Sequence, residues 1–180
     1  MELSVKNARS IPTVTITDCM PTLEEFIAIS KYGARVEFAP KMVEAISANR
    51  RLLDKFLEEG RIIYGVTTGF GENVRYTVSP EDASRLQENI VRTHSVSVGE
   101  PLDREQARAV MLMTILNDGK GYSGIRIETL DLIRQMLNLD LYPWAPGEGS
   151  VGYLGVEGHF AMAYIGEGQI YDHGVLLDAG

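Results

Sequence analysis

The residues best placed to do chemistry are a tyrosine, a histidine and a serine, each set beside glycines. Tyr64-Gly65-Val66-Thr67-Thr68-Gly69-Phe70-Gly71 follows a short apolar run. Its glycines permit positive φ or a close backbone approach that a Cβ would resist. A phenol on such a loop can donate a proton, or take one where its surroundings favour the phenolate. Read alone, the same stretch is also a strand-to-loop turn with a half-buried tyrosine. His94 stands in Thr93-His94-Ser95, shortly after Asn89. Its imidazole, the side chain most easily switched near neutral pH, can bind a polar ring or a carboxylate, or satisfy backbone groups at a helix end. Gly149-Ser150-Val151-Gly152 invites comparison with a phosphate loop. It lacks the Lys-Ser/Thr of a P-loop and the spacing of a dinucleotide fingerprint, which excludes both and leaves a glycine-rich turn after two prolines.

The elements that must position these residues follow from periodicity and caps. Residues 13 to 17 alternate and are β-branched, predicting a short strand. Thr22 with Glu25 three positions on forms a capping box for a short helix ending near Tyr32-Gly33. Val36-Glu37-Phe38 completes a small α+β patch. A helix is predicted from Pro40 to Gly60, with Met42, Ile46, Leu53 and Leu57 near one face. Ser79-Pro80 opens another, whose apolar side is Leu86, Ile90 and Val91 and whose end carries His94. Asp103 or Leu102 starts a third, broken by Asn117 to Gly124. Arg126 to Leu139 is helical with Leu130, Ile133 and Leu137 in phase. Pro143, Pro146, Gly147 and Gly149 predict a rigid non-helical connection. The apolar run Phe160 to Ile165 then stops at Gly166-Glu167-Gly168. The count is mainly α, with no internal repeat. The abrupt end at Leu176 to Gly180 suggests part of a longer chain.

Composition bounds the rest. The chain has 180 residues, 44% of them hydrophobic and 23% charged, enough for one domain with a core or a part of a larger one. Net charge is −8, and without a long basic run this argues against a nucleic-acid partner. The single Cys19 cannot form an internal disulfide, and no apolar run reaches the length of a membrane span. The expectation is a cytoplasmic protein with no membrane partner. Asp172-His173 has a metal-like look, but a coordination shell needs three or four groups. His94 and His159 show no metal spacing, so no metal is expected.

Taken together, Tyr64 to Gly71, Arg92-Thr93-His94 and Gly149 to Gly152 resemble the aromatic amino acid ammonia-lyases and aminomutases, with the histidine ammonia-lyases closest. Lys120, Tyr122, Ser123, Gly124 and Arg126, with Asn117 just before, also match a family stretch. The resemblance runs from about Thr22 to Gly168. It implies a mainly α, long-helix ammonia-lyase-like fold, with residues 1–180 as its N-terminal part and a small α+β patch at the start. It implies elimination of ammonia from histidine or an aromatic amino acid (tyrosine or phenylalanine), or the related aminomutase reaction. Tyr64 would be the base, His94 would contact the substrate side chain, and Gly71 and Asn89 would line the pocket. It also implies a homotetramer or a complementary C-terminal chain, because the family's sites draw on several subunits and on downstream residues.

The family's electrophile is a methylidene-imidazolone made from an Ala-Ser-Gly triad, expected directly after Gly152. Gly149, Ser150, Gly152 and Tyr153 flank that position. Here the chain departs from the pattern. It runs Gly152-Tyr153-Leu154-Gly155-Val156-Glu157-Gly158-His159. Aligning His159 and Ile165 to Gly168 with the family leaves three residues missing after Gly152. Two readings are open: a modified residue absent from a standard amino-acid string, or a true loss of the triad that leaves a non-catalytic or split family member serving as an assembly partner or scaffold.

Overall fold

A computed structural model describes residues 7–150 and 154–180. The expected α+β patch is a parallel βαβ unit. β1 (Thr13–Ile16) pairs with β2 (Arg35–Phe38) in register Val14 to Val36, and α1 (Leu23–Ser30) crosses between them. Along β1 the threonines face out while Val14 and Ile16 are buried, the period-2 pattern of a half-covered sheet. The capping box forms as expected: Thr22 Oγ1 accepts the Glu25 amide, and the Glu25 carboxylate accepts the Thr22 amide at 2.7 Å. α2 (Pro40–Glu58) has Pro40 in its first turn, and Met42 and Ile46 bury its inner face.

α3 (Pro80–His94) is capped by the Ser79 hydroxyl, which accepts the Asp82 amide. It leads through Ser95 to Ser97 into β3 (Val98–Pro101). α4 (Arg104–Asp118) starts at Asp103, whose carboxylate accepts the Gln106 amide at 2.8 Å. α5 (Ile127–Asn138) follows after the glycine break and packs against α4. The core lies between these two helices and the βαβ unit, with Ala107, Met111, Leu112, Ile115, Leu130, Ile133 and Leu137 buried. Phe160 closes it from α6 (Val156–Tyr164).

The stretch around Pro143 to Gly149, read from sequence as a plain connection, holds two short strands. β4 (Leu141–Pro143) pairs with β6 (Gln169–Asp172), and β5 (Pro146–Glu148) pairs with β3. The prolines hid them, because proline lacks a ladder donor and is tolerated in sheets only at edges and strand ends. β6 and β7 (Val175–Asp178) form a hairpin whose turn takes positive φ at His173 (47°) and Gly174 (83°). Asp172 and His173 sit exposed at that turn, bonded to each other at 2.5 Å, where sequence placed them as surface residues. Among the described residues no helix is long and apolar enough to cross a membrane.

Candidate active site

Tyr64 lies on a loop closed on itself by local hydrogen bonds. Thr67 Oγ1 accepts the Ile63 amide at 2.8 Å, and Thr68 Oγ1 accepts the Gly65 amide at 3.1 Å. An antiparallel bridge between Thr68 and Thr77 seals the base of the loop. Gly65 and Gly71 both take positive φ, at 70° and 54°. At Gly65 a Cβ would also fall 2.8 Å from the Phe70 ring, so glycine is required there twice over.

These constraints fold the loop back so that the Tyr64 hydroxyl accepts the backbone amide of Gly71 at 3.1 Å. The Tyr64 ring stands edge-on to Phe70 with centroids 6.0 Å apart, and remains largely exposed. Gln87 of α3 donates to the Gly65 carbonyl at 3.0 Å, which pins the loop to that helix. The result is a cavity of about 610 Å³ walled by Phe70, Gly71, Tyr76, Leu86, Ile90 and His94. Gly71 and His94 therefore meet at one site, while Tyr64 touches Gly71 through its hydroxyl and lines a neighbouring cavity with Ile63, Val66 and Tyr122.

His94 occupies the last turn of α3. Its Nδ1 is 2.8 Å from the Ile90 carbonyl, an acceptor only, so Nδ1 carries the proton and Nε2 is left as the acceptor nitrogen of the neutral ring. Asn89 is not on this cavity. It lies on the exposed side of α3, where its Oδ1 accepts from Arg92 at 3.3 Å. Five residues on a 3.6-residue helix separate Asn89 from His94 by more than a full turn, which turns the two side chains to different faces.

The third segment reaches His94 through pairing that no local pattern announced. β3 follows α3 directly and pairs antiparallel with β5, bringing Val98 opposite Glu148 and delivering Gly149 and Ser150 beside the end of α3. A Cβ on Gly149 would point at Ser97 Cα, 4.0 Å away. Gly152 and Tyr153 lie outside the described residues. Past them, α6 packs across α3 at Gly158, where a Cβ would sit 2.5 Å from the His94 carbonyl oxygen and 2.9 Å from the Ser95 nitrogen. Arg92 then reaches Glu167 beyond α6, at 2.7 Å through Nε. Sequence reasoning missed Gly158, Glu167 and Phe70. Gly158 had a weak signal as a glycine inside an apolar helical run, while an ion pair 75 positions apart has none.

Gly158→Ala is expected to cost about 1–3 kcal/mol of stability, since the intruding methyl meets backbone rather than a side chain that can swing away. Thermal melting checks this, and an unchanged midpoint would mean that α6 does not cross α3 there. A pH effect follows from His159, which stands edge-on to Trp144. Burial pushes its pKa below the ordinary value, against a smaller upward pull from the Ser97 backbone. The folded form then binds fewer protons than the unfolded chain, so stability is full above about pH 6.5 and falls as pH drops below it. Melts between pH 5 and 7.5 should show this slope, and His159→Gln should flatten it.

Comparison with known proteins gives the chain a family. The family model for aromatic amino acid lyases matches residues 22–180. Histidine ammonia-lyase from Streptococcus sanguinis is 41% identical over 159 residues, which are 87% of this chain and 31% of that protein. Among solved structures, histidine ammonia-lyase from Trypanosoma cruzi superposes with a TM-score of 0.84 at 33% identity, covering 93% of this chain and 33% of that one. Ergothionase from Treponema denticola, an ergothioneine degrading enzyme, shares the fold with a TM-score of 0.88 at 24% identity, over 93% of this chain and 34% of its own. The chain thus spans about a third of the length of the relatives it matches, and it belongs to the aromatic amino acid lyase family.

Proposed function

We propose that this chain forms the base-bearing part of a carbon–nitrogen lyase site acting on histidine or an aromatic amino acid (tyrosine or phenylalanine). One observation carries the reading: Tyr64 Oη accepts the Gly71 amide, and Gly71 shares its cavity with His94. The amide holds the phenolic oxygen in place, the atom that would take the proton. Tyr64 takes the β-proton of the substrate. His94 receives the substrate ring through Nε2, which favours a ring with its own donor, imidazole or phenol, over plain phenyl. Gly71 contributes its backbone, and Asn89 takes no part.

The methylidene-imidazolone that the family resemblance implies does not fit the residues present. Its methylidene carbon is what remains of a serine that has lost water. Positions 153–158 read Tyr-Leu-Gly-Val-Glu-Gly, and Ala-Ser-Gly occurs nowhere in the 180 residues. The Gly155 amide donates to Glu157 at 2.8 Å, and α6 begins at the next residue. No step is routed through that group.

The reading is tested by titrating the protein with the acrylate products, urocanate and trans-cinnamate, following binding by fluorescence or calorimetry. Saturable binding that His94→Ala weakens is expected. No binding would shift the protein to the second reading, an assembly partner without chemistry of its own, which the lost triad favours. The remaining substrate contacts come from a complementary C-terminal chain or from other subunits of a tetramer, and native mass with a search for a co-purifying polypeptide separates these.

A further inference from the structure

We propose that the groove between α4, α5 and α6 binds an organic cation, a small primary amine with an aryl or alkyl body, apart from the cavity of His94. The case begins with helix faces. α4 sends Ala107, Met111, Leu112 and Ile115 into the core, so its outward face would ordinarily be charged. Instead Ala109, Val110, Met113, Thr114 and Asn117 line the groove there without a charge among them. On α6, Glu157, Phe160, Ala161 and Tyr164 stand at helical spacing and face the same space. The buried Ile133 of α5 also lines it. The cavity measures about 570 Å³, a size that suits a small ligand, and its α4 wall runs roughly 13 Å from Ala109 to Asp118.

Polar groups in this apolar space lack the partners that their burial calls for. Tyr164 Oη is buried with no hydrogen-bond partner, and its ring is held edge-on to Phe160, with centroids 6.4 Å apart. Burial keeps its pKa far above the ordinary value, so it remains a hydroxyl that can donate and accept. The Asp118 carboxyl makes no ion pair among the described residues, and burial raises its pKa with no cation to oppose the rise. Glu157 accepts the Gly155 amide and is likewise without an ion pair among the described residues. A ligand ammonium compensates the carboxylates and brings donors that Tyr164 Oη can accept, while its apolar body lies against Val110, Met113 and Phe160.

The surroundings narrow the choice. Asp118 also borders a second cavity, beside the tyrosine loop, but Arg50 and Arg126 line that one and repel a cation. A partner helix laid into the groove would bury both carboxylates and the hydroxyl more deeply, at a cost that a small cation avoids. The groove shares no lining residue with the cavity of His94, and α6 meets the His94 backbone on another face, at Gly158.

Methionine footprinting of the protein in its native assembly reads the groove directly. Met113 lines it and is 37% exposed, while Met20, 58% exposed, lies outside it and serves as the control. The probes are phenethylamine, the uncharged phenethyl alcohol and the anion hydrocinnamate, each titrated while peroxide oxidation is followed by peptide mass. Phenethylamine is expected to slow Met113 oxidation several-fold, to leave Met20 unchanged, and to bind roughly tenfold or more tighter than the alcohol, with no protection from the anion. Asp118→Asn should remove most of the preference for amine over alcohol. Tyr164→Phe should weaken amine binding roughly three- to tenfold, and His94→Ala should leave it unchanged. Should a variant not fold, the comparison of amine with alcohol on the unaltered protein decides alone. Absence of protection by the amine, equal protection by the alcohol, or protection lost in His94→Ala would each overturn the proposal. Resistance of Met113 to oxidation before any probe is added would overturn it too, because another chain would already fill the groove.

Discussion

Tyr64→Phe is expected to lower turnover by roughly 10²–10⁴-fold while leaving the fold intact. The large kinetic effect follows from removing the phenolic oxygen that this reading assigns to take the β-proton. His94, which shares its cavity with Gly71, has its Nδ1 committed to the Ile90 carbonyl and faces the substrate ring in this reading. The small structural effect follows from what the hydroxyl does at rest. It accepts a single hydrogen bond, from Gly71, at a residue that is 61% exposed, so water can replace it. A hydrogen bond of that kind contributes about 0.5–1.5 kcal/mol at most. The ring keeps its edge contact with Phe70, which needs no hydroxyl. The measurement is kcat on the accepted substrate beside circular dichroism and a melt. Activity within a few-fold of the unaltered protein would remove Tyr64 from the chemistry. A collapsed melt would recast it as a structural residue.

Much of this site was legible in the sequence because its parts are local. The glycines at 65 and 71 announced a loop that reverses on itself, and positive φ at both is what their placement demanded. Thr22 with Glu25, Ser79 and Asp103 marked three helix starts within a residue, since a cap is chemistry between positions three apart. The convergence of the loop with the end of α3 and with Gly149 was not legible. It depends on β3 pairing with β5 across more than forty residues, and those strands are built from Val-Gly-Glu-Pro and Pro-Gly-Glu, which carry no strand signal. Asn89 shows the opposite failure. The family resemblance put it in the pocket with His94, and helical geometry turns it to another face of α3, against Arg92.

Arg108 was invisible for a different reason, and it supports the second large prediction. In sequence it is one cation within α4, where an exposed, solvated side chain is the default. In the fold its side chain is fully buried. It donates to the Ile29 carbonyl at the end of α1 at 2.8 Å, to the Leu137 carbonyl at the end of α5 at 2.8 Å, and to Asp140 Oδ1 at 2.9 Å. Two helix C-termini are thus finished by one guanidinium, whose donors satisfy carbonyls that the helices themselves leave open. Asp140 takes positive φ (59°) just past α5 and is shared with Arg104, which also donates to the Lys31 carbonyl at 3.1 Å.

Burial and the neighbouring Arg104 push the Arg108 pKa down, and Asp140 pulls it back, so the charge is held where removing its partner would be costly. Arg108→Met, which keeps volume and loses every donor, is expected to destabilise the chain by about 2–4 kcal/mol, because the Ile29 and Leu137 carbonyls lose their charged donor in a dry place while Asp140 keeps Arg104. Arg108→Lys should recover only part, since an ammonium cannot span acceptors on two helices and a turn at once. Asp140→Asn should cost less than either, as its carboxylate is a third exposed and Arg108 keeps both backbone acceptors. Urea titration of the three variants checks the order. If Arg108→Met matched the unaltered protein, the joint between α1, α4 and α5 would have to be carried by apolar packing alone.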